Sequence, residues 1–219
     1  IVIPAAALVI IGAILTWAIS RGPEKGDRAA AQQRNSLGLQ YQNDGNVPDA
    51  QLEYRNAIIS DSQWEIPWNN LAIIELNEGN FDEADSLLGE ALKRDPGYTE
   101  ALYNMGTVKW EKDDLEGAEI NLRAAIDADP AFMPAYNNLG SLLINMNRPK
   151  EASEVLDNAL ARFDSTPYPD ELKAYLFKNR GIAAADMGDA SAETWWRRSL
   201  EIIPDNDEVR RLLESVGAL

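Results

Sequence analysis

The sequence predicts an all-α fold, a solenoid of stacked helical hairpins preceded by a single transmembrane helix, and three observations carry that prediction. Ala50, Ala84, Ala118 and Ala152 stand 34 residues apart, and the same interval links Gly38, Ala72, Gly106 and Gly140, and again Ala57, Ala91, Ala125 and Ala159. Small residues in three parallel series mark close crossings of helix backbones that recur once per unit. Within each period, two segments carry apolar residues at i, i+3, i+4 and i+7, the spacing of a helix that buries one face. Ahead of the repeats, residues 1–20 (IVIPAAALVIIGAILTWAIS) contain no charged residue, and as a helix they would extend about 30 Å, the depth of a bilayer core.

Pro4 falls in the first turn of that helix, where its missing N–H removes no intrahelical bond, and Trp17 falls near the end, where an indole favours the membrane interface with Arg21 beside it. The rival reading is a cleaved signal peptide, since Ala18-Ile19-Ser20 loosely resembles a small-x-small cleavage site, but the apolar run exceeds a usual signal core. Arg21, Lys25, Arg28 and Arg34 draw the C-terminal side toward the cytoplasm. Basic residues ahead of Ile1 would reverse that orientation, so the side stays open. Residues 21–30 (RGPEKGDRAA) form a hydrophilic connector broken by Gly22-Pro23. Ten extended residues reach at most about 35 Å, which keeps the repeats close to the bilayer.

Four units follow, 31–64, 65–98, 99–132 and 133–166. Large apolar residues open the first helix of the last three, at Trp68 and Leu71, Leu102 and Met105, and Tyr136 and Leu139. That helix closes at Gly45-Asn46, Gly79-Asn80, Asp113-Asp114 and Asn147-Arg148, residues that tolerate the backbone of a helix end. Tyr54, Leu88, Leu122 and Leu156 follow the second-helix alanine by four residues and complete its buried stripe, and Pro96 and Pro130 stop two of the second helices.

Trp68-Leu71-Ala72, then Phe81-Ala84-Leu88, then Ala91 and Pro96 resemble the tetratricopeptide repeat family, whose pattern runs W-x2-L-G-x2-Y, A-x3-F and A-x4-P. The resemblance covers most of residues 31–205 and implies a stack of helical hairpins with a concave groove for protein partners. Arg34 in place of a large apolar residue, and Ser62 in place of the closing proline, suit a first unit that acts as a cap. Residues 164–171 (DSTPYPDE) break the phase, adding about seven residues and two prolines. They form either a loop that reaches a partner site or a neutral surface elaboration. A fifth unit within 167–205 then fits through Phe177, Gly181, Ala192, Trp196, Ser199 and Pro204, with a turn near Gly188-Asp189 one residue shorter than elsewhere. Residues 206–219 carry an amphipathic helix, DEVRRLLESV, suited to cap the last exposed apolar face.

The net charge of −16, from 36 acidic and 20 basic residues, disfavours nucleic acid as a partner. With no cysteine and no histidine the chain has no thiolate nucleophile, no Cys/His zinc site, no disulfide and no histidine base. Pairs such as Asp127 and Asp129 lack the glycine-centred loop of a calcium site and stand where helices end. No catalytic residue, cofactor, metal or small-molecule substrate is expected.

The expected work is protein–protein interaction. In the family, the residue two before the first small crossing position faces the groove, and here Asn70, Asn104, Asn138 and Asn179 occupy it. Beside them stand Asn69, Tyr103 and Asn137, with Trp110 a helical turn further on. An amide both donates and accepts, so such a row suits an extended peptide backbone, or it ties neighbouring helices together. Trp195, Arg197 and Arg198 form the densest aromatic and basic cluster and are candidate partner contacts, while Trp196 takes a core position. The function expected is a membrane-anchored interaction scaffold, an accessory subunit that stabilises or organises a larger membrane protein complex. The alternative is a membrane-bound chaperone or assembly factor that holds extended client peptides.

Overall fold

The computed structural model describes residues 26–218, which form eleven α-helices and one 3₁₀ turn. The sequence-predicted transmembrane helix, Trp17, Arg21 and the rest of residues 21–25 of the connector lie outside the described residues. Among the described residues, no helix is long and apolar enough to cross a membrane. Two compact units are present, one ending at Gln63 and one beginning at Trp64.

The first unit is a hairpin of α1 (Arg28–Asn43) and α2 (Val47–Ser60). Helix α1 starts inside the stretch read as connector, because the Asp27 side chain accepts from the Ala30 N–H and caps it. Gly45, at φ +75°, makes the turn. At the crossing, a Cβ on Gly38 would lie 2.7 Å from the ring of Tyr54, which is fully buried and donates to Gln42 Oε1 at 2.6 Å. Burial pushes the Tyr54 phenol up to about 12. The open end is latched by Arg28 on Asp61 at 2.6 Å and by the Asp27 N–H on the Ser60 carbonyl at 2.8 Å. Arg34 is exposed and pairs with the buried carboxylate of Glu53 at 3.1 Å, which accounts for a charge where the other units place an apolar side chain.

The second unit stacks four hairpins: α3 (Glu65–Asn77) with α4 (Phe81–Arg94), α5 (Thr99–Glu111) with α6 (Leu115–Ala128), α7 (Met133–Asn145) with α8 (Pro149–Arg162), and α9 (Asp170–Asp186) with α10 (Ala192–Ile202). Each first helix ends the same way. The residue at the left-handed position is Gly79, Asp113, Asn147 or Gly188, and the next N–H returns to the carbonyl five residues back, at 2.8–2.9 Å. An L side chain in that backbone region costs energy that glycine does not pay. Asp113→Gly and Asn147→Gly are therefore each expected to stabilise the unit by about 0.5–1 kcal/mol, a rise of roughly 2 °C in calorimetric Tm.

The small-residue series falls at backbone crossings. Ala84, Ala118, Ala152, Ala91, Ala125 and Ala159 are fully buried, and a Cβ on Gly106 or Gly140 would lie 2.8 Å or 2.7 Å from Leu122 or Leu156. Polar ties join successive hairpins at a second register position. Asp85 of α4 meets Lys109 at 2.9 Å and Lys112 at 3.0 Å, and Glu119 of α6, 34 residues on, meets Arg148, which also holds Glu151 at 2.7 Å. Ser153 takes this position in α8, where its buried Oγ has no hydrogen-bond partner among the described residues, and Asp157 holds Arg180 at 2.7 Å instead.

These ties give stability a definite pH dependence. Arg148 holds the Glu119 carboxyl below the usual range, and at Asp85 and Asp61 burial works upward but Lys109, Lys112 and Arg28 outweigh it. A carboxylate with a lowered folded pKa contributes stability above its unfolded pKa and loses it as pH falls through the folded value. The urea-unfolding free energy is expected to be level above about pH 5 and to fall below about pH 4, with a shallower fall in Glu119→Gln.

The inserted stretch is a 3₁₀ turn, Phe163–Ser165, followed by an extended run to α9. Its Tyr168 packs edge-on against Phe132 at 6.3 Å, and Phe132 packs edge-on against Tyr103 at 5.4 Å, so the insertion folds back on the stack. At the far end, α11 (Asp207–Ser215) buries Val209 and Leu213 against Trp196, Ala184 and Ala192.

Candidate protein-interaction surface

The residues of the asparagine row lie on successive first helices, and three of them bond to residues beside the row on the preceding first helix. Asn104 Nδ2 donates to Asn69 Oδ1 at 2.9 Å, Asn138 Nδ2 donates to the Tyr103 hydroxyl at 3.1 Å, and Asn179 Nδ2 donates to Asn137 Oδ1 at 2.9 Å and Ser141 Oγ at 2.8 Å. The links to Asn69, Tyr103 and Asn137 each cross from one first helix to the next, because the two partners stand one residue apart in register on helices one repeat apart. Asn69, Asn104 and Asn179 are buried, whereas Tyr103, Asn137 and Asn138 are half-buried at the edge of the row. Asn70 is half-buried as well. Trp110 packs on the cluster containing Leu142, Leu143 and Ala183.

Burial raises the phenol pKa of Tyr103 and of Tyr98, and nearby Glu100 and Glu65 push Tyr98 further up. Both hydroxyls stay protonated at neutral pH, Tyr103 hydrogen-bonding Asn138 and Tyr98 hydrogen-bonding Asn69. Trp64, Tyr98 and Phe132 stand 34 residues apart, each just before a first helix, and Tyr168, two residues before α9, lies outside that interval. The interval of this aromatic series is legible in the sequence, but sequence reasoning missed it because it falls outside the helical positions that carry the repeat pattern.

The second cluster is less open than its composition suggests. Trp195 stacks on Phe177 with centroids 5.9 Å apart, under the guanidinium groups of Arg180 and Arg198, each 5.1 Å from its ring. Arg197 is exposed, pairs with Glu193 at 2.7 Å and donates to the Ala218 carbonyl at 2.7 Å, tying α10 to the end of the chain. Among the described residues, no three Asp or Glu side chains converge as a metal would require.

Residues 69–131 and 110–176 each match a profile described as tetratricopeptide repeat. No curated protein matches. Solved structures share the fold at low identity. A thermophilic tetratricopeptide repeat protein of Thermus thermophilus is 20% identical over 87% of this chain and 100% of its own, with a TM-score of 0.63. YrrB, described as having an unusual peptide-binding site, is 17% identical over 83% of this chain and 90% of its own, at 0.65. The first tetratricopeptide repeat domain of Spaghetti, bound to the HSP90 peptide SRMEEVD, is 21% identical over 57% of this chain and 98% of its own, at 0.54.

Proposed function

We propose that this chain, whose residues 69–176 are tetratricopeptide repeats, is a non-catalytic interaction scaffold anchored in a membrane by residues 1–20, serving as an accessory subunit of a larger membrane protein complex. Repeat arrays of this kind mediate protein–protein interaction and peptide binding. The observation that carries the subunit reading is the bonded amide row. Four successive first helices are cross-linked by hydrogen bonds, one buried and two part-buried, which suits a fixed surface for a folded neighbour. The uncharged run of residues 1–20 supports the anchor, and the basic residues after it favour the cytoplasmic side.

The client-binding alternative draws on the half-buried rim of Tyr103, Asn137 and Asn138, where side-chain hydrogen-bonding capacity meets solvent. Purification from native membranes in mild detergent separates the two. Stoichiometric co-purification of fixed partners supports the subunit, and loss of all partners on washing, with retained binding of unfolded segments, supports the chaperone. Crosslinking mass spectrometry on the same membranes identifies the neighbours, and protease accessibility in sealed vesicles assigns the side.

A further inference from the structure

The cleft between α6 and α8 has a counterpart one hairpin further on, built from the same register positions, and only the counterpart is filled. The open cleft has a volume of about 440 Å³, with Tyr136 and Leu139 of α7 as its floor and Ile126 and Val155 as its walls. Aligning Gly140 with Gly181 and Ala152 with Ala192 places Phe177 where Tyr136 stands, Arg180 where Leu139 stands and Trp195 where Val155 stands. In that second position the chain's own indole occupies the space. It lies against Phe177 with 28° between the ring planes, and Arg198 closes over Phe177 at 4.3 Å. Its Nε1 is buried with no hydrogen-bond partner among the described residues, and ring contact and guanidinium contact hold it.

The open cleft offers an aromatic floor, Tyr136, to a ring that Val155 is too short to supply, while its guanidinium groups, Arg123 and Arg162, stand at positions other than those of Arg180 and Arg198. Arg123 and Arg162 stand on its rim beside one carboxylate, Asp127. Arg123 is engaged by Glu119 at 2.8 Å, while Arg162 bonds only to the carbonyl and side chain of Asn158, both at 3.1 Å, and meets no carboxylate among the described residues. Arg123 also lies 3.6 Å from Glu151, so Arg162 is the guanidinium of this cleft that an anionic group can meet.

We propose that this cleft receives an aromatic side chain with an adjacent carboxylate from a partner protein segment. The ring takes the place that Trp195 fills one hairpin on, and the carboxylate meets Arg162. A protein occupant is the one premise shared with the scaffold reading, and the surface is separate from the asparagine row.

Indole-3-acetate is the probe, titrated into the full chain in lipid nanodiscs and followed by amide NMR shifts. Binding is expected with a Kd on the order of 1 mM, typical for a ligand of this size, with shifts centred on Tyr136 and Val155. Val155→Trp is expected to fill the cleft and weaken binding at least tenfold, Arg162→Ala to weaken it several-fold, and tryptamine, with the charge reversed, to bind more weakly than the acid. Val155→Phe provides the same reading if the tryptophan variant does not fold. Absence of binding to the wild type, or undiminished binding to the folded filled variant, would overturn the proposal. Shifts centred on Asn104 and Asn138 would overturn it too, while leaving partner binding by the first-helix face intact.

Discussion

Trp196→Ala is expected to cost about 3–5 kcal/mol and to unfold the last hairpin before the rest of the stack. The indole is 1% exposed, lies at the centre of the cluster that joins α9, α10 and α11, and donates from Nε1 to the Lys178 carbonyl at 3.2 Å. Its seat requires a glycine opposite, since a Cβ on Gly181 would lie 2.3 Å from Nε1 and 2.4 Å from Cδ1. Gly181→Ala gains about 1 kcal/mol of helix propensity. It also forces the fully packed ring aside, an overpacking cost of about 1–3 kcal/mol or more. The substitution is therefore expected to destabilise the wild type yet stabilise Trp196→Ala, where the ring is gone. This reversal of sign, read by urea unfolding with hydrogen exchange on α9 to α11, isolates the contact from a general intolerance of α9 to change. Destabilisation of both backgrounds by equal amounts would show that the glycine matters for another reason.

The hairpins were legible because two constraints act on the same few residues. A helix crossing at close range admits only Gly or Ala, so Ala84, Ala118 and Ala152 repeat visibly, and a left-handed helix end admits few residues, so Gly79, Asp113 and Asn147 repeat with them. The bonding of the asparagine row was not legible to the same depth. An amide facing a peptide and an amide tied to the next helix share one sequence position, and the choice depends on whether the neighbour one residue earlier offers an acceptor. Asn69, Tyr103 and Asn137 each do. Trp195 was harder still. Its register position is half-buried in the unit before, where Val155 leaves a cleft open, and the contacts with Phe177, Arg180 and Arg198 fold it inward. Insertions hide packing for a related reason, since Tyr168 reaches Phe132 through a turn that no repeat period encodes.

Asn69→Ala is expected to destabilise the second unit by about 2–3 kcal/mol, the cost of leaving buried polar groups without partners. Asn69 is 2% exposed, and its loss strands the Asn104 amide, itself 8% exposed, together with the Tyr98 hydroxyl. Asn69→Ala with Asn104→Ala is expected to cost less than the sum of the single changes, because the second removes a donor that the first has orphaned. The same coupling decides how the row relates to function. Asn138→Ala and Tyr103→Phe each break the bond from α7 to α5 at 3.1 Å, but only the first removes an amide that a peptide backbone could use. Each is expected to lower stability by about 1 kcal/mol, the usual net value of such a bond. If the row holds extended segments, Asn138→Ala loses peptide binding by fluorescence anisotropy while Tyr103→Phe keeps it, both measured well below their unfolding temperatures. If the row serves the stack alone, the two variants bind alike, and the partner surface lies elsewhere on the hairpins.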